Sequence, residues 1–144
     1  MKHVLIIASY GPSLINFRFD LIKNLLSKGH KVSVASPEDE FTENLQKKLI
    51  DLDIKIEFFL LSRSNLNLFE NFGSLFAIYK IIKNLNPDVV MSYTSKPVIF
   101  SGICLKFFPK IKFFPLITGL GSTFTEVNLI RNFFIKYLVI YLYS

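Results

Sequence analysis

A strand–helix–strand unit is encoded in residues 4–36, VLIIASYGPSLINFRFDLIKNLLSKGHKVSVAS, and it sets the fold of the chain. Residues 4–8 are an apolar run of the kind that is buried in the middle of a sheet. Residues 14–28 repeat apolar side chains at helical spacing and stop at Gly29, a residue that commonly ends helices. Residues 31–36 alternate apolar and polar side chains, which predicts a second strand. Two strands joined by a helix are expected to pair in parallel.

The alternation of strands and helices continues along the chain. We expect N-capping serines at Ser13 for the first helix, at Ser36 before Pro37 for the second, and at Ser95 before Pro97 for the fourth. Further strands are predicted at residues 54–61, 88–93 and 112–118, a polar loop at 62–71, and helices at 37–52, 72–85, 97–108 and 126–143. The buried face of the third helix is expected to comprise Phe72, Leu75, Phe76, Tyr79, Ile82 and Leu85. This order predicts an α/β fold, a doubly wound parallel sheet of Rossmann-like type, in one domain over residues 1–144.

The composition indicates a globular domain with a basic and apolar character. Of 144 residues, 51% are hydrophobic and 19% are charged, the net charge is +6, and 16 residues are phenylalanine. No block of five basic residues occurs, so an anionic membrane surface or a phosphorylated ligand is expected as a partner, and nucleic acid is not. The single cysteine, Cys104, excludes an internal disulfide. His3 and His30 have no ligand neighbours at metal-binding spacing, so we expect neither a metal nor another cofactor.

Two apolar segments favour attachment to a membrane surface without a span. The first is CLKFFPKIKFF, residues 104–114, in which lysines alternate with phenylalanines. The second is the predicted last helix, whose residues 133–143 are apolar on nearly every side. No stretch reaches the roughly 18 charge-free apolar residues of a spanning helix. We expect a cytoplasmic protein that is peripheral at the inner face of the cell membrane; the alternative is that these phenylalanines are core residues.

Arg18 is the most informative charged residue of the first helix. Ligands of open parallel sheets bind beyond the carboxyl ends of the strands, next to the first turns of the following helices. On a helical wheel, Arg18 falls in the middle of the apolar arc, whereas Asn16 falls on the polar side. Two interpretations stay open for Arg18: an ion pair with a buried carboxylate such as Asp88, and an anion ligand assisted by free N–H groups at the helix end.

Lys96 and three glycines mark the other loops at the strand ends. A lysine at a helix start is disfavoured by about 0.3–1 kcal/mol because of the helix dipole, and a bound anion would reverse this effect. Lys96 is therefore either part of an anion site with Ser95 or a solvated residue. Gly11 is either an ordinary turn residue or one that lets a ligand approach the first strand. Gly119 and Gly121 form a G-x-G turn after the fifth strand.

Three stretches taken together resemble the N-terminal domain of bacterial family 4 glycosyltransferases. They are NFRFDLIKNLLSKGHKVSVASP at residues 16–37, NPDVVMSYTSKPVIFSG at 86–102 and ITGLGSTFT at 117–125. The resemblance implies half of a GT-B architecture, which has two facing Rossmann-like domains. It is greatest for the branch that acts on polyprenyl-diphosphate carriers in the assembly of lipopolysaccharide, capsule or protein-linked glycans.

The resemblance also implies a division of labour between the two domains. The N-terminal domain would bind the acceptor, a lipid-linked saccharide, and a C-terminal domain would hold the nucleotide-sugar. The family's donor-side motif, two glutamates eight positions apart, does not occur among the six glutamates of this chain. We therefore expect no transferase activity from the chain alone, and interpret it as a truncated enzyme or one half of a split enzyme. The alternative is a non-catalytic membrane adaptor or partner-binding module with the same fold.

The candidate site follows from strand order. Strands one and four are expected to be neighbours, so we hypothesise that Arg18 and Lys96 converge beyond their ends and bind the diphosphate of acceptor or donor. Many relatives carry a histidine in the loop after the fourth strand, where this chain has Ser95, and no residue is assigned a catalytic role. The predicted acceptor- or phosphate-binding residues are Gly11, Asn16, Arg18, Ser95, Lys96, Gly119 and Gly121.

Overall fold

The computed structural model describes residues 1–61 and 68–117 of the chain. The described strands are β1 His3–Ile7, β2 Lys31–Pro37, β3 Lys55–Phe59, β4 Val89–Tyr93 and β5 Lys112–Leu116. The described helices are α1 Gly11–Ser27, α2 Thr42–Leu49, α3 Leu68–Leu85 and α4 Ser95–Leu105, with a short 3-10 helix at Ile50–Leu52. The predicted turn with Gly119 and Gly121 and the predicted helix at 126–143 lie outside the described residues.

The strands form one parallel sheet in the order β3-β2-β1-β4-β5. The chain places β2 and β3 on one side of β1 and then crosses over to place β4 and β5 on the other, which is the arrangement of a doubly wound sheet. The predicted Rossmann-like fold is therefore confirmed. The strand order reverses between β1 and β4, whose pairing runs from Val4 opposite Val89 to Ile7 opposite Ser92. The predicted pairing of strands one and four is confirmed as well.

Helices cover both faces of the sheet. One core contains residues of α1 and α2, and the other contains residues of α3 and α4. Alternate residues of β1 enter the two cores: Ile6 enters the first and Leu5 the second, and both are fully buried. A central strand that is buried on both faces has no polar side, which explains the uninterrupted apolar run at residues 4–8.

The polar residues of β2 are buried rather than turned to solvent. Ser33 and Ser36 are both 0% exposed, because this strand is also covered on both faces. The Ser33 hydroxyl lies 2.9 Å from Nε2 of His3. The Ser36 hydroxyl donates a hydrogen bond to the carbonyl oxygen of Pro37 at 3.4 Å. Each small hydroxyl is tolerated in the interior because it finds a hydrogen-bond partner.

The predicted start of the second helix is wrong. Ser36 and Pro37 continue β2, with Pro37 opposite Phe59 of β3, and α2 begins only at Thr42. The N–H of Glu38 then donates to the carbonyl oxygen of Phe59, which extends the pairing by one further bond. The serine–proline pair carries a local helix-start preference, but pairing with β3 satisfies more backbone groups in the interior.

The predicted capping serines of the first and fourth helices are also displaced. α1 begins at Gly11, so Ser13 lies within its first turn, where its hydroxyl donates to the carbonyl oxygen of Tyr10. α4 begins at Ser95, so Thr94 occupies the N-cap position. Neither N-cap residue makes a side-chain capping hydrogen bond. Both helix starts therefore depend on the loops that precede them rather than on a capping serine.

α3 begins earlier than predicted, and two of the six residues predicted for its buried face are exposed. It starts at Leu68, inside the loop predicted at 62–71. Ile78 and Ile82 are 0% exposed, whereas Phe72 and Phe76, which the pattern predicts to be buried, are 67% and 58% exposed. This helix is apolar around most of its circumference, so periodicity alone does not decide which face meets the sheet.

Candidate functional site

The carboxyl ends of β1 and β4 lie side by side, and a hydrogen bond ties the loops that follow them. The hydroxyl of Thr94, directly after β4, donates to the hydroxyl of Ser9, which follows β1, at 2.7 Å. This edge of the sheet, at the reversal of strand order, is where doubly wound folds bind their ligands. We call the group formed by Ser9, Ser13, Arg18, Tyr93, Thr94, Ser95 and Lys96 the strand-end site.

The backbone turns sharply at Thr94. Its φ of 71° and ψ of 159° lie in a region that residues with a β-carbon rarely adopt. Such a conformation costs on the order of 1–3 kcal/mol and persists only when the surroundings enforce it. The turn sends the chain directly from β4 into the first turn of α4, so Ser95 and Lys96 follow at the sheet edge.

Tyr93 forms the floor of the strand-end site. Its side chain is 3% exposed, and its hydroxyl oxygen lies 2.8 Å from the hydroxyl oxygen of Ser13. Burial raises the pKa of Tyr93 to about 12, so the phenol is neutral over the physiological range. The ring therefore gives α1 a fixed neutral surface above the last residue of β4.

Arg18 lies on that ring and has no ion pair with Asp88. The guanidinium carbon of Arg18 is 5.0 Å from the centroid of the Tyr93 ring, a favourable cation–π contact. Nη1 donates to the carbonyl oxygen of Phe17 at 3.0 Å, and the buried Nε finds no hydrogen-bond partner among the described residues. The ion pairs of residues 1–61 and 68–117 do not include Arg18.

Asp88 is engaged at the opposite edge of the sheet. It accepts a hydrogen bond from the N–H of His3 at 2.8 Å and pairs with Nζ of Lys2 at 3.2 Å. These two contacts hold the pKa of the Asp88 carboxyl below its ordinary value. Asp88 precedes β4 whereas Arg18 lies beyond its other end, so the sheet itself separates the two charges. The ion pair with Asp88, the example given for the structural interpretation of Arg18, is not formed.

Lys96 is anchored on the other side of the strand ends. Its side chain is half-buried, and Nζ donates to Oδ1 of Asn71 in the first turn of α3 at 3.3 Å. Arg18 lies on the face of the sheet that α1 covers, and Asn71 belongs to a helix on the opposite face. The two cations thus border the strand ends from opposite sides, and their convergence on one ligand stays a prediction.

Two predicted site residues have other surroundings. Gly11 is buried in the first turn of α1, where an added β-carbon would lie 3.0 Å from Oγ of Ser36 and 3.5 Å from Cδ2 of Leu45. Glycine there allows α1 to approach β2 closely, which neither earlier interpretation of Gly11 included. Asn16 is exposed and borders a hollow of about 30 Å³ between α1 and α2. It therefore lies away from Tyr93.

The two histidines and the cysteine lie away from the strand-end site. Both histidines are at the opposite edge of the sheet, where Nδ1 of His30 accepts the N–H of Lys2 at 3.2 Å. Burial, followed by the charge of Lys31, lowers the pKa of His3. Burial raises the pKa of the Cys104 thiol to about 11, so this cysteine is an unreactive core residue. The strand-end site therefore supplies cationic and hydroxyl groups that bind, rather than an imidazole or thiolate that reacts.

The sequence did not identify the hydroxyl groups that hold the strand-end site together. Ser9, Ser13, Tyr93 and Thr94 act through hydrogen bonds between the first and fourth loops, which are far apart in the chain. Two features of the sequence could have indicated them: strands one and four were expected to be neighbours, and the loops after both strands carry hydroxyl-bearing residues. Such a signal indicates proximity but not which hydroxyls pair.

Comparison with known proteins identifies the family. The family described as "Glycosyl transferase 4-like" matches residues 3–144, which is nearly the whole chain. The chain belongs to that family. This finding agrees with the resemblance carried by residues 16–37, 86–102 and 117–125.

A curated member of known activity is similar to this glycosyl transferase 4-like chain. It is the N,N'-diacetylbacillosaminyl-diphospho-undecaprenol alpha-1,3-N-acetylgalactosaminyltransferase of Campylobacter jejuni, which is 36% identical over 126 residues. The alignment covers 84% of this chain and 32% of the relative, so the chain spans about a third of that protein's length.

Solved structures share the fold at low sequence identity. MurG of Acinetobacter baumannii aligns with a TM-score of 0.63 at 20% identity, over 81% of this chain and 34% of that one. The UDP-GlcNAc 2-epimerase of Neisseria meningitidis aligns with a TM-score of 0.64 at 17% identity, over 97% and 38%. The calicheamicin glycosyltransferase CalG4 aligns with a TM-score of 0.58 at 13% identity, over 95% and 37%. These matches establish the fold, which is the predicted Rossmann-like half of a GT-B architecture.

Proposed function

We propose that this chain is the acceptor-binding half of a glycosyltransferase that moves a sugar from a nucleotide-sugar to a lipid-linked saccharide, in the assembly of a surface polysaccharide or glycan. The observation that carries the proposal is the 36% identity to a transferase whose name specifies a diphospho-undecaprenol-linked acceptor. The family membership makes the alternative of a non-catalytic adaptor less favoured.

The strand-end site supplies the chemistry that a diphosphate-linked acceptor requires. Arg18 presents a guanidinium on a rigid aromatic floor, and Lys96 lies in the first turn of α4, where free backbone N–H groups favour an anion. A guanidinium binds phosphate oxygens in a bidentate manner, whereas an ammonium acts as a point charge. We assign the diphosphate of the lipid carrier to the space between these two cations.

The nucleotide-sugar is assigned to a second domain outside this chain. The support is the coverage of the Campylobacter jejuni relative, of which this chain matches 32%, and the lack of the donor-side glutamate pair. Whether that domain belongs to the same polypeptide or to a separate one does not change the role of the strand-end site.

A lipid-linked acceptor also requires contact with a membrane. No helix among residues 1–61 and 68–117 is long and apolar enough to cross a bilayer. Because the proposed acceptor is lipid-linked, we assign the protein a peripheral position at the inner face of the cell membrane, where a cytoplasmic nucleotide-sugar and a membrane-held acceptor meet.

The test is a reconstitution with a supplied donor half. The chain is fused in place of the matching segment of the Campylobacter jejuni relative, and the fusion is offered UDP-N-acetylhexosamines with undecaprenyl-diphosphate-linked N,N'-diacetylbacillosamine. We expect transfer by the fusion and none by the chain alone under the same conditions.

Two outcomes would count against the proposal. Turnover by the isolated chain would exclude its role as half of an enzyme. A folded fusion that neither binds nor extends any polyprenyl-diphosphate-linked saccharide would exclude the acceptor role and leave the adaptor alternative.

A further inference from the structure

Five aromatic side chains on α3 and just after α4 form one continuous outer surface. They are Phe72, Phe76, Tyr79, Phe107 and Phe108, and we call them the aromatic surface. Phe76 stacks on Tyr79 with ring centroids 6.5 Å apart, and Tyr79 contacts Phe107 and Phe108 at 6.1 Å and 5.4 Å. Four of the five rings are thus packed around Tyr79, and Phe72 lies one helical turn before Phe76 on α3.

Most of this surface is open to solvent. Phe107, Phe72 and Phe76 are 70%, 67% and 58% exposed. The opposite side of α3 provides Ile78 and Ile82, which are fully buried against the sheet. Tyr79 and Phe108 pack partly against the core, but the core does not account for Phe72, Phe76 and Phe107. Exposed apolar groups that are contiguous mark interaction surfaces.

The basic charge of the protein is concentrated in the same half of the chain. Residues 1–61 contain eight lysine or arginine residues and eight acidic residues, so this half is neutral. Residues 71–117 contain six lysines and a single acidic residue, Asp88, which is engaged with Lys2. The distribution, rather than any run of basic residues, produces a cationic half.

Several of these lysines border the aromatic surface directly. Nζ of Lys80 lies 4.6 Å from the centroid of the Phe76 ring. Lys106 precedes Phe107 in the chain, and Lys110 follows shortly after Phe108; both lysines are exposed. Phenylalanines flanked by lysines suit the surface of an anionic bilayer. The rings enter the boundary of the acyl chains, while the ammonium groups stay among the anionic headgroups.

We propose that the aromatic surface is the face by which this chain lies on an anionic lipid bilayer. The inference deepens the proposed function and rests on it only in that the acceptor is lipid-linked. It retains Phe107 and Phe108 from the segment predicted from sequence, residues 104–114. Within residues 104–114, Phe113 packs into the core shared with α3 and α4, and Phe114, opposite Met91, lies on the other face of the sheet.

The position of this surface suits a lipid-linked ligand. α3 begins at the same sheet edge as α4, where Asn71 accepts the hydrogen bond from Lys96. Phe72 is the next residue after Asn71, so the aromatic surface starts beside the strand-end site. A lipid carrier held in the bilayer would therefore bring its diphosphate to the side of the site where Lys96 is anchored.

The absence of tryptophan from the sequence allows a site-specific test. Phe107→Trp places a single fluorophore on the aromatic surface, and Phe17→Trp places one on α1, on the opposite face of the sheet, at a residue that is 74% exposed. Each full-length variant is mixed with phosphatidylglycerol-containing vesicles, with phosphatidylcholine vesicles, and with vesicles of brominated phosphatidylglycerol. No sugar substrate is present, so the result does not depend on the proposed transferase activity.

We expect the emission of Phe107→Trp to shift to shorter wavelength with phosphatidylglycerol vesicles and to be quenched by the brominated lipid, while Phe17→Trp is unaffected. Lys80→Gln should weaken partitioning of the Phe107→Trp chain about five-fold, and Lys47→Gln on α2 should not. The proposal is overturned if both tryptophans respond alike, if neither responds, or if Phe107→Trp shifts with protein concentration in the absence of vesicles, which would assign the surface to a second copy of the chain.

Discussion

Arg18 and Tyr93 come from different elements and meet at the end of the sheet, with the guanidinium carbon 5.0 Å from the centroid of the ring. The arginine is the inward-facing charge of α1, and the tyrosine is the last residue of β4. The ring lies between the arginine and the strand, and its hydroxyl is held by Ser13 of the same helix as Arg18. Among residues 1–61 and 68–117 no carboxylate pairs with this cation, which is the basis for proposing that it binds an anion.

Arg18→Ala should weaken acceptor binding and leave the domain folded. The lost contact to a phosphate is expected to cost about 1.5–3 kcal/mol of binding free energy. The measurement is titration of the reconstituted fusion with an undecaprenyl-diphosphate-linked saccharide. The matched control is Lys23→Ala. This change removes another cation of α1 that contacts an aromatic ring, since Nζ of Lys23 lies 4.8 Å from the centroid of Phe19. Unfolding of Arg18→Ala at ordinary temperature would instead assign the arginine a structural role.

Lys96→Gln separates charge from anchoring. Glutamine can still bond to Asn71, so the contact between α4 and α3 is retained while the positive charge is lost. We expect weaker acceptor binding and a smaller dependence of that binding on salt concentration, because one cation less contacts the phosphates. Lys28→Gln, at the exposed end of α1, is the control. If the affinity of Lys96→Gln for the acceptor were unchanged, Lys96 would have only a structural role, in the contact between α4 and α3.

Tyr93 should make stability fall at alkaline pH. The phenol of the folded protein has a pKa of about 12, against an ordinary value of 10. Its contribution to the free energy of unfolding is therefore fully present below pH 10 and is lost as pH rises toward 12. Each pKa unit by which the folded and unfolded states differ corresponds to about 1.4 kcal/mol of unfolding free energy. Cys104, with a pKa of about 11 rather than 9, acts in the same direction.

The comparison of wild type with Tyr93→Phe isolates the tyrosine. The variant loses the hydrogen bond to Ser13, about 0.5–1.5 kcal/mol, at neutral pH, but its stability should fall less steeply in the alkaline range. Denaturant unfolding across that range provides the measurement. Parallel curves for the two proteins would show that Tyr93 ionises equally in the folded and unfolded states.

Gly11→Ala should destabilise the domain through contact with Ser36. The new β-carbon would lie 3.0 Å from Oγ of a serine that is 0% exposed, so the buried Ser36 side chain must shift by a few tenths of an ångström. We expect a loss of about 1 kcal/mol, the low end for overpacking, since alanine also favours the helix. The double variant with Ser36→Ala should recover most of this loss in thermal unfolding. Additive effects would mean that the two side chains do not meet.

The doubly wound parallel sheet and the pairing of strands one and four could be predicted from sequence because they depend on features that are strong and local. The apolar run at residues 4–8 is buried in the middle of the sheet, and the regular alternation of strands and helices leaves few topologies. Helix starts could not be predicted from capping residues. At Ser36 and Pro37 the local preference for a helix competes with pairing to β3, and the pairing prevails.

Side-chain surroundings were predicted less well than topology. Periodicity placed Ile82 correctly on the buried face of α3 but also placed Phe72 and Phe76 there, whereas Ile78 is buried in their place. Arg18 was recognised as an unusual inward charge, but its partner is an aromatic ring that the sequence gives no reason to select. These side-chain contacts depend on which loops and helices are neighbours. They can therefore be predicted only once the order of the strands in the sheet is known.

The hydrogen bond between Thr94 and Ser9 joins the loops that follow β1 and β4, in addition to the contact between Ser13 and Tyr93. Glycine at position 94 would adopt φ 71° without strain, but it would have no hydroxyl to offer Ser9. The threonine thus adopts a strained backbone conformation, and its hydroxyl couples the movement of the loop after β4 to that of the loop after β1. Anything that displaces one loop must either break that hydrogen bond or carry the other loop with it.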